Sequence, residues 1–400
     1  MKRIIFTFFL ITVFSAFFLA CNKSAAVKTA NKDKPFIFFN VSPTDPQTGK
    51  IDMELMNRND KTFFVGNDAV KGGLLQAKMI TDYFSKADPA SIDRNGDGTI
   101  GYVLCIGDMG HNDSLGRTKG IRTALGTWNG SSEPKNVREG SLTINGKDYK
   151  VIELDGRAMT GTDGTAWNAS SATEAMGNWA TKFDDEIDLV ISNNDGMAMG
   201  CLQASNYPKG VPIFGYDAIE DALEAVKQGK LTGTISQNAD GQMITILQLL
   251  RNFFDGLTGE EAVSSGISKP DAYGNKISTA VEVDFEHKSL FVESIAVTKE
   301  NIGEFEKIGH DAGIKQTTAA RKKILVCNDN AADVYKVTKC LPSLRYYAPL
   351  LNIDLNIIQG DGQNESKTLD AFTNLSRYDG YSVSILRISS GREYTDKLKY

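Results

Sequence analysis

Along most of the chain, short apolar runs alternate with segments whose apolar residues recur at spacings of three and four. Runs of the first kind lie at 36–40 (FIFFN), 62–65, 101–106 (GYVLCI), 150–154 (KVIEL), 187–192 (IDLVIS), 211–215 (VPIFG), 232–236, 291–297, 323–328 (KILVCN), 354–359 (DLNIIQ) and 382–388. Their lengths predict strands. Helical spacing fills 68–86, 116–126, 170–183, 195–205, 219–228, 239–256, 333–348 and 365–377. In the first of these, Asn67 is placed to cap a helix whose Val70, Leu74, Ala77, Ile80 and Phe84 form one apolar face. Strand alternating with helix predicts the α/β class with mostly parallel sheets, in which ligands collect at the carboxyl ends of strands. Four of those ends are polar: Asn40; Asn193, Asn194 and Asp195; Asp217; and Asn328, Asp329 and Asn330. Taken singly, each reads as a turn or a helix cap. Together they favour a polar binding cleft without specifying its ligand.

Composition narrows the class. The 400 residues carry 44 Lys+Arg against 50 Asp+Glu, a formal net charge of −6, with 41% apolar and 24% charged residues. Disorder over most of the length, a multi-pass membrane protein and a dedicated nucleic-acid binder are poorly supported, and the length suits two domains of roughly 150 residues. His111, His287 and His310 are too few for a His-rich metal enzyme. At the amino end, MKRIIFTFFLITVFSAFFLA joins a basic start to an apolar run, a secretory signal over 1–20; the alternative is a single membrane span from 4 to 20. Leu19-Ala20-Cys21 followed by polar residues resembles a lipoprotein signal, with Phe18 where the usual Leu stands, and implies lipidation of Cys21 after cleavage. Residues 21–34 then read as a lipidated tether. The remaining cysteines, Cys105, Cys201, Cys327 and Cys340, are spread too widely for a disulfide scaffold or a zinc cluster.

Residues 93–101, DRNGDGTIG, place oxygen donors at alternating positions. Asp93, Asn95 and Asp97 supply side chains, Gly98 permits the turn and Thr99 offers its carbonyl, which is the first half of an EF-hand loop. The second half fails, since Gly101 holds the ninth position and Leu104 the twelfth, where a bidentate Glu belongs. Either the loop is an Asp/Gly turn, or a distant carboxylate completes a Ca²⁺ shell.

The segments KTFFVGNDAVKGGLLQAK from 61, GHNDSLGR at 110–117, Trp167, ISNNDGMAMG at 191–200, PIFGYDAIEDALEAVKQGKLTGT at 212–234 and VESIAVTKENIGEF at 292–305, with the acidic loop, resemble the periplasmic galactose/glucose-binding proteins. The order of pieces differs. The family's opening segment is found here at the end, as KKILVCNDNAADVYKVTK at 322–339 and DLNIIQGDGQNESK at 354–367, while 36–40 begins where the family's fourth strand would. The resemblance therefore implies a circularly permuted type I periplasmic-binding-protein fold: two doubly wound parallel-sheet domains joined by a three-strand hinge. One lobe would contain 35–66, 239–291 and 322–400, the other 67–238 and 292–305, with 306–321 as the connector. The alternative is an unrelated C-terminal appendix.

Carried over position by position, the resemblance implies sugar contacts by Asn40, His111, Asp113, Arg117, Asn194, Asp217, Gln237 and Asp333, with Trp167 and Tyr335 on the two sugar faces. Tyr335 stands where the family has Phe, and Gln237 where it has Asn. The chemistry suits a pyranose, whose hydroxyls answer carboxylates and amides and whose C–H faces answer aromatic rings. The resemblance also closes the metal shell with Asp188, giving Asp93, Asn95, Asp97, Thr99 and Asp188 as ligands of one structural Ca²⁺. It implies a periplasmic receptor, a monomer held to a bacterial membrane through the Cys21 lipid, that binds D-glucose or D-galactose and delivers it to the permease subunits of an ABC importer. No catalysis and no nucleic-acid partner are expected. A chemosensory or scavenging lipoprotein is the alternative; a glycoside hydrolase using Asp217 and Asp333 is less favoured, because no residue is marked as a nucleophile.

Overall fold

The computed structural model describes residues 33–45, 47–134, 138–267, 281–305, 316–372 and 374–398. The expected secretory signal, Cys21, most of the expected tether and residues 306–315 of the expected connector lie outside the described residues. No helix among the described residues is long and apolar enough to cross a membrane.

Two sheets organise two lobes. The first has seven strands in the order β13 (Ile353–Gln359), β12 (Lys322–Asn328), β14 (Gly380–Ser384), β1 (Phe36–Phe39), β2 (Thr62–Gly66), β10 (Ser289–Val292) and β9 (Val281–Asp284). All neighbours are parallel except β9 and β10. β1, β2 and β14 are buried along their whole length, as expected of central parallel strands covered on both faces. The C-terminal strands are thus not an appendix: β14 pairs with β12 on one side and with β1 on the other, Phe36 lying opposite Tyr381. Residues 323–328 and 36–40, expected in one lobe, lie in one parallel sheet with β14 between them.

The second sheet runs β4 (Arg138–Ile144), β5 (Lys147–Ala158), β3 (Thr99–Ile106), β6 (Leu189–Ser192) and β7 (Ile213–Phe214), parallel except for the β4–β5 hairpin. A ribbon of β8 (Thr234–Ser236) and β11 (Ile295–Val297) runs beside it. Helices that place functional groups are α1 (Ala69–Lys86), α2 (Asn112–Ala124), α3 (Ala169–Phe183), α4 (Asp195–Leu202), α5 (Glu220–Lys227) and α6 (Ala239–Phe254).

Several local expectations are corrected. Asp68, not Asn67, caps α1, accepting from Val70 N and Lys71 N. The buried face of α1 is Gly72, Gly73, Gln76, Ala77, Met79, Ile80 and Phe84, while Leu74 is exposed. The cause is the close approach of α2: a Cβ on Gly73 would lie 2.2 Å from the Arg117 carbonyl oxygen, so small residues rather than Leu74 face the neighbour. The run 291–297 splits into β10 and β11 at Glu293-Ser294, where the chain passes from one lobe to the other. β4 was not expected, although its Asn145-Gly146 turn, with both residues at positive φ, is a hairpin signal. The 333–348 segment is a π turn at Lys336–Cys340 running into a short α-helix at Leu341–Tyr347.

Deleting 322–400 removes β12, β13 and β14, and uncovers Phe36, Phe38 and Phe64, which pack with Leu325, Tyr381 and Val383. We expect the 22–321 fragment to lose cooperative folding of the first lobe, and with it ligand binding, measured by circular-dichroism melting and calorimetry. A soluble fragment that kept wild-type affinity would refute the dependence.

Candidate functional site

The chain passes between the lobes at three places, after β2, after β8 and after β10, and side chains tie the three crossings together. Asn67 Nδ2 donates to the Val292 carbonyl at 2.6 Å. Gln242 Nε2, at the start of α6, donates to Asn67 Oδ1 at 2.6 Å and to the Gln237 carbonyl at 2.7 Å, and lies 3.1 Å from Tyr335 Oη. The cleft opens beside these crossings.

Its second-lobe wall is built around Arg117. The residue is 3% exposed, so its charge needs partners, and the i, i+4 spacing on α2 supplies one: Arg117 donates to Asp113 Oδ2 at 2.8 Å. A second donor bonds the Asn193 carbonyl at 2.8 Å, and the Asp217 carboxylate lies 3.7 Å away. The guanidinium carbon is 3.8 Å from the Tyr216 ring centre and 5.7 Å from that of Trp167. Burial works against the charge, but Asp113, Tyr216, Asp217 and Tyr335 outweigh it and push the pKa up. Arg117 Nε has no hydrogen-bond partner among the described residues.

The other second-lobe residues gather round it. His111 caps α2, its Nδ1 accepting from Asp113 N at 3.1 Å, which leaves Nε2 as the N–H donor of a neutral ring. Burial pushes its pKa down; Asp113 opposes this, while Arg117 and Lys336 add to it. Its ring meets Trp167 edge-on, with centroids 5.6 Å apart. Trp167 lies over Gly107, just past β3, where a Cβ would come within 2.2 Å of the indole. Asp217 ends the strand run after β7 and accepts from Gln237 Nε2 at 2.6 Å. Burial pushes the Asp217 carboxyl well up; Arg117 and Gln237 oppose this, and Asp195 and Asp333 add to it.

The opposite wall comes from the C-terminal segment after β12. Asp333 accepts from Lys336 N at 3.0 Å and faces Lys336 Nζ at 3.1 Å. Tyr335 is 5% exposed. Gln242 Nε2 lies 3.1 Å from Tyr335 Oη and donates to the carbonyl of Gln237, whose own amide donates to Asp217, so a short chain of polar contacts links this wall to the other. Asn112 Nδ2 also reaches Ser42 Oγ of the first lobe at 2.5 Å.

His111, Asp113, Arg117, Trp167, Asp217, Gln237, Asp333 and Tyr335 are therefore brought together. Asn40 and Asn194 stand at their strand ends: Asn40 is half-buried at φ 65°, and Asn194 caps α4 by accepting from Met197 N at 2.8 Å, so its carbonyl oxygen serves the helix. Asn40, Trp167, Asp217, Ala218 and Asn238 all have positive φ, a conformation that costs non-glycine residues on the order of 1–3 kcal/mol each and concentrates at functional sites.

Sequence reasoning missed Lys336. It is buried, donating to both Asp329 oxygens at 2.7 and 2.9 Å; burial opposes its charge, but Asp329 and Asp333 outweigh it and raise the pKa. Nothing in the apolar periodicity marks it, though an Asp seven residues and another three residues before a Lys is a pattern that could have been weighed. Asn193, noted only as a strand end, accepts from Gly107 N, Thr118 Oγ1 and Ser114 Oγ and so fixes the floor of the cleft. Asp195 accepts from Thr234 Oγ1 at 2.7 Å and Ile219 N at 3.0 Å, and burial pushes its pKa up to about 7.

The acidic loop lies apart, before β3. Asp93 accepts from Gly96 N, Asp97 N and Gly98 N, and Asp97 from Thr99 N. Asp188 comes to the same place from before β6, accepting from Arg94 N at 2.8 Å and Gly101 N at 2.9 Å. Among the described residues no group of three or more His, Cys, Asp or Glu is arranged to hold a metal.

A family model described as a periplasmic binding protein domain matches residues 22–258, more than half the chain, and a second model of the same description matches 321–391. The chain belongs to the periplasmic binding proteins. This binding protein is 28% identical over 282 residues to the D-galactose/methyl-galactoside binding periplasmic protein MglB of Haemophilus influenzae, covering 70% of this chain and 69% of that one. It is 28% identical over 242 residues to a xylitol-binding protein of Mycolicibacterium smegmatis, of which it spans 57%. An ABC transporter solute binding protein from Bacillus halodurans, solved with bound myo-inositol, is 22% identical with a TM-score of 0.43, each chain covered to 68%. The family is one of binding proteins rather than enzymes, and it is periplasmic.

In the binding protein, Lys336 and Asp329 form a buried pair. Lys336→Met strands the Asp329 charge and is expected to cost about 3–5 kcal/mol of stability. Adding Asp329→Asn should restore more than half of that loss, both read by urea unfolding; additive losses would contradict the pairing.

Proposed function

We propose that this protein is a monomeric receptor for D-glucose, with D-galactose as the second hexose, and that it delivers the sugar to an ABC importer. The observation that carries the proposal is the convergence on one buried cleft of an ion-paired Arg117, three carboxylates, a neutral His111 and two aromatic rings from separated segments. Hydroxyls bind such groups most strongly when the closed cleft excludes water. The unpaired Arg117 Nε is a donor that a sugar oxygen would satisfy. The resemblance to a galactoside-binding relative supports the hexose assignment. Closure of the lobes over the sugar would create the surface that the permease recognises. The order β13-β12-β14-β1-β2 in one sheet supports a circular permutation with the lobes as expected, and Cys21 would hold the receptor to the membrane.

Titration calorimetry with protein beginning after Cys21 should give one site for D-glucose, and no heat with either hexose on verified ligand-free protein would reject the assignment. Trp167→Ala should weaken binding by about 2–4 kcal/mol through lost stacking and admitted water.

Calcium is the second part of the proposal. The donor set Asp93, Asn95, Asp97, the Thr99 carbonyl and Asp188 consists of hard oxygens, which suits Ca²⁺. Burial pushes Asp188 up to about 6 against its backbone bonds, with Asp93 adding to the rise, and a divalent cation would relieve that crowding. Asn95 and Asp97 would exchange their mutual hydrogen bond for the ion. Chelation should lower the melting temperature without abolishing sugar binding at low temperature. Equal calcium affinity in wild type and Asp188→Ala, measured by titration, would reject the distal ligand.

A further inference from the structure

Behind the cleft floor, β3 and α4 bring two cysteines together. Cys105 is the penultimate residue of β3 and Cys201 the penultimate residue of α4; both are fully buried, and their sulfurs lie 3.3 Å apart. The pair sits in the apolar cluster of Val103, Ala172, Val190 and Met197. A disulfide holds its sulfurs at about 2.05 Å, so a closure of roughly an ångström would join them. The other cysteines are placed elsewhere: Cys327 in β12 and Cys340 under the first-lobe wall. The family is periplasmic, and a bacterial periplasm forms disulfides.

We propose that Cys105 and Cys201 are joined by an intramolecular disulfide as the exported chain folds. The oxidant is a disulfide, of a thiol oxidoreductase or a low-mass thiol. One cysteine thiolate attacks it, forming a mixed disulfide and releasing one thiol; the second cysteine displaces the other sulfur. Two cysteine thiols are oxidised, one disulfide is reduced to two thiols, and the protons pass to the released thiolates. The closed loop contains His111, Asp113, Arg117, Trp167 and Asn193, so the cross-link restrains much of one cleft wall. Because both sulfurs are fully buried, the bond is sheltered from reductants in the folded protein.

The test uses the full chain exported into a disulfide-forming periplasm, denatured in iodoacetamide without reductant, digested and analysed by mass spectrometry. One linked pair of Cys105 and Cys201 peptides, with Cys327 and Cys340 alkylated, is expected. Alkylated Cys105 and Cys201, or either of them linked to another cysteine, overturns the proposal. On heating, dithiothreitol should lower the melting temperature of the wild type by on the order of 10 °C. It should leave the Cys105→Ala/Cys201→Ala double variant unmoved. An equal response of the two proteins also overturns the proposal, and the peptide result stands on its own if the double variant fails to fold.

Discussion

Strand β14 lies between β12 and β1, and the first lobe depends on that pairing. It gives β1 two hydrogen-bonded edges, covers Phe36 and Phe38, and carries the loop after β12 to the cleft. Because parallel pairing leaves no tolerance for a one-residue slip when both faces are buried, the register of Phe36 with Tyr381 also fixes where Asp333 and Tyr335 stand relative to the second lobe. A contact between residues separated by most of the chain thus sets the geometry of the site.

The cleft holds two buried cations, Arg117 and Lys336, one in each wall. Each is offset by two or more carboxylates: Asp113 and Asp217 for Arg117, Asp329 and Asp333 for Lys336. An unpaired charge at either place would cost several kcal/mol, so the two clusters hold together only as units. The surplus of carboxylate over cation leaves acceptors for a polar ligand, and the strained backbone at Asp217 and Ala218 shows what the fold gives up to aim them. The three crossings bound together by Asn67, Gln242 and Asn238 keep this arrangement aligned while leaving the lobes joined by few chain segments.

Much of this was legible in the chain. FIFFN, GYVLCI and KILVCN are strands because runs of that length and apolarity have nowhere to go but a sheet covered on both faces. The helical spacing of 239–256 was equally plain, and α6 is buried along most of its length. Leu74 misled, because periodicity reports apolarity and not how near a neighbouring helix comes; glycines took its place at the α1–α2 contact. β9 was missed because a half-buried edge strand, VEVD, has too weak an apolar signal. Asn194 was legible both as a helix cap and as a cleft residue, and only the structure shows its side-chain oxygen given to the cap.

Local pattern determined the α/β class, most strands and helices, and the polar strand ends, because these depend on spacing within a few residues. The resemblance added the candidate site residues and the expectation of an altered order of segments. Only the tertiary structure decided between an appended segment and strands β12, β13 and β14 within the first sheet, and only it showed that Lys336 is buried against Asp329 and that Cys105 meets Cys201. Each of these joins residues through strand pairing or side-chain packing in three dimensions, and neither distance nor burial can be read from the order of residues along the chain.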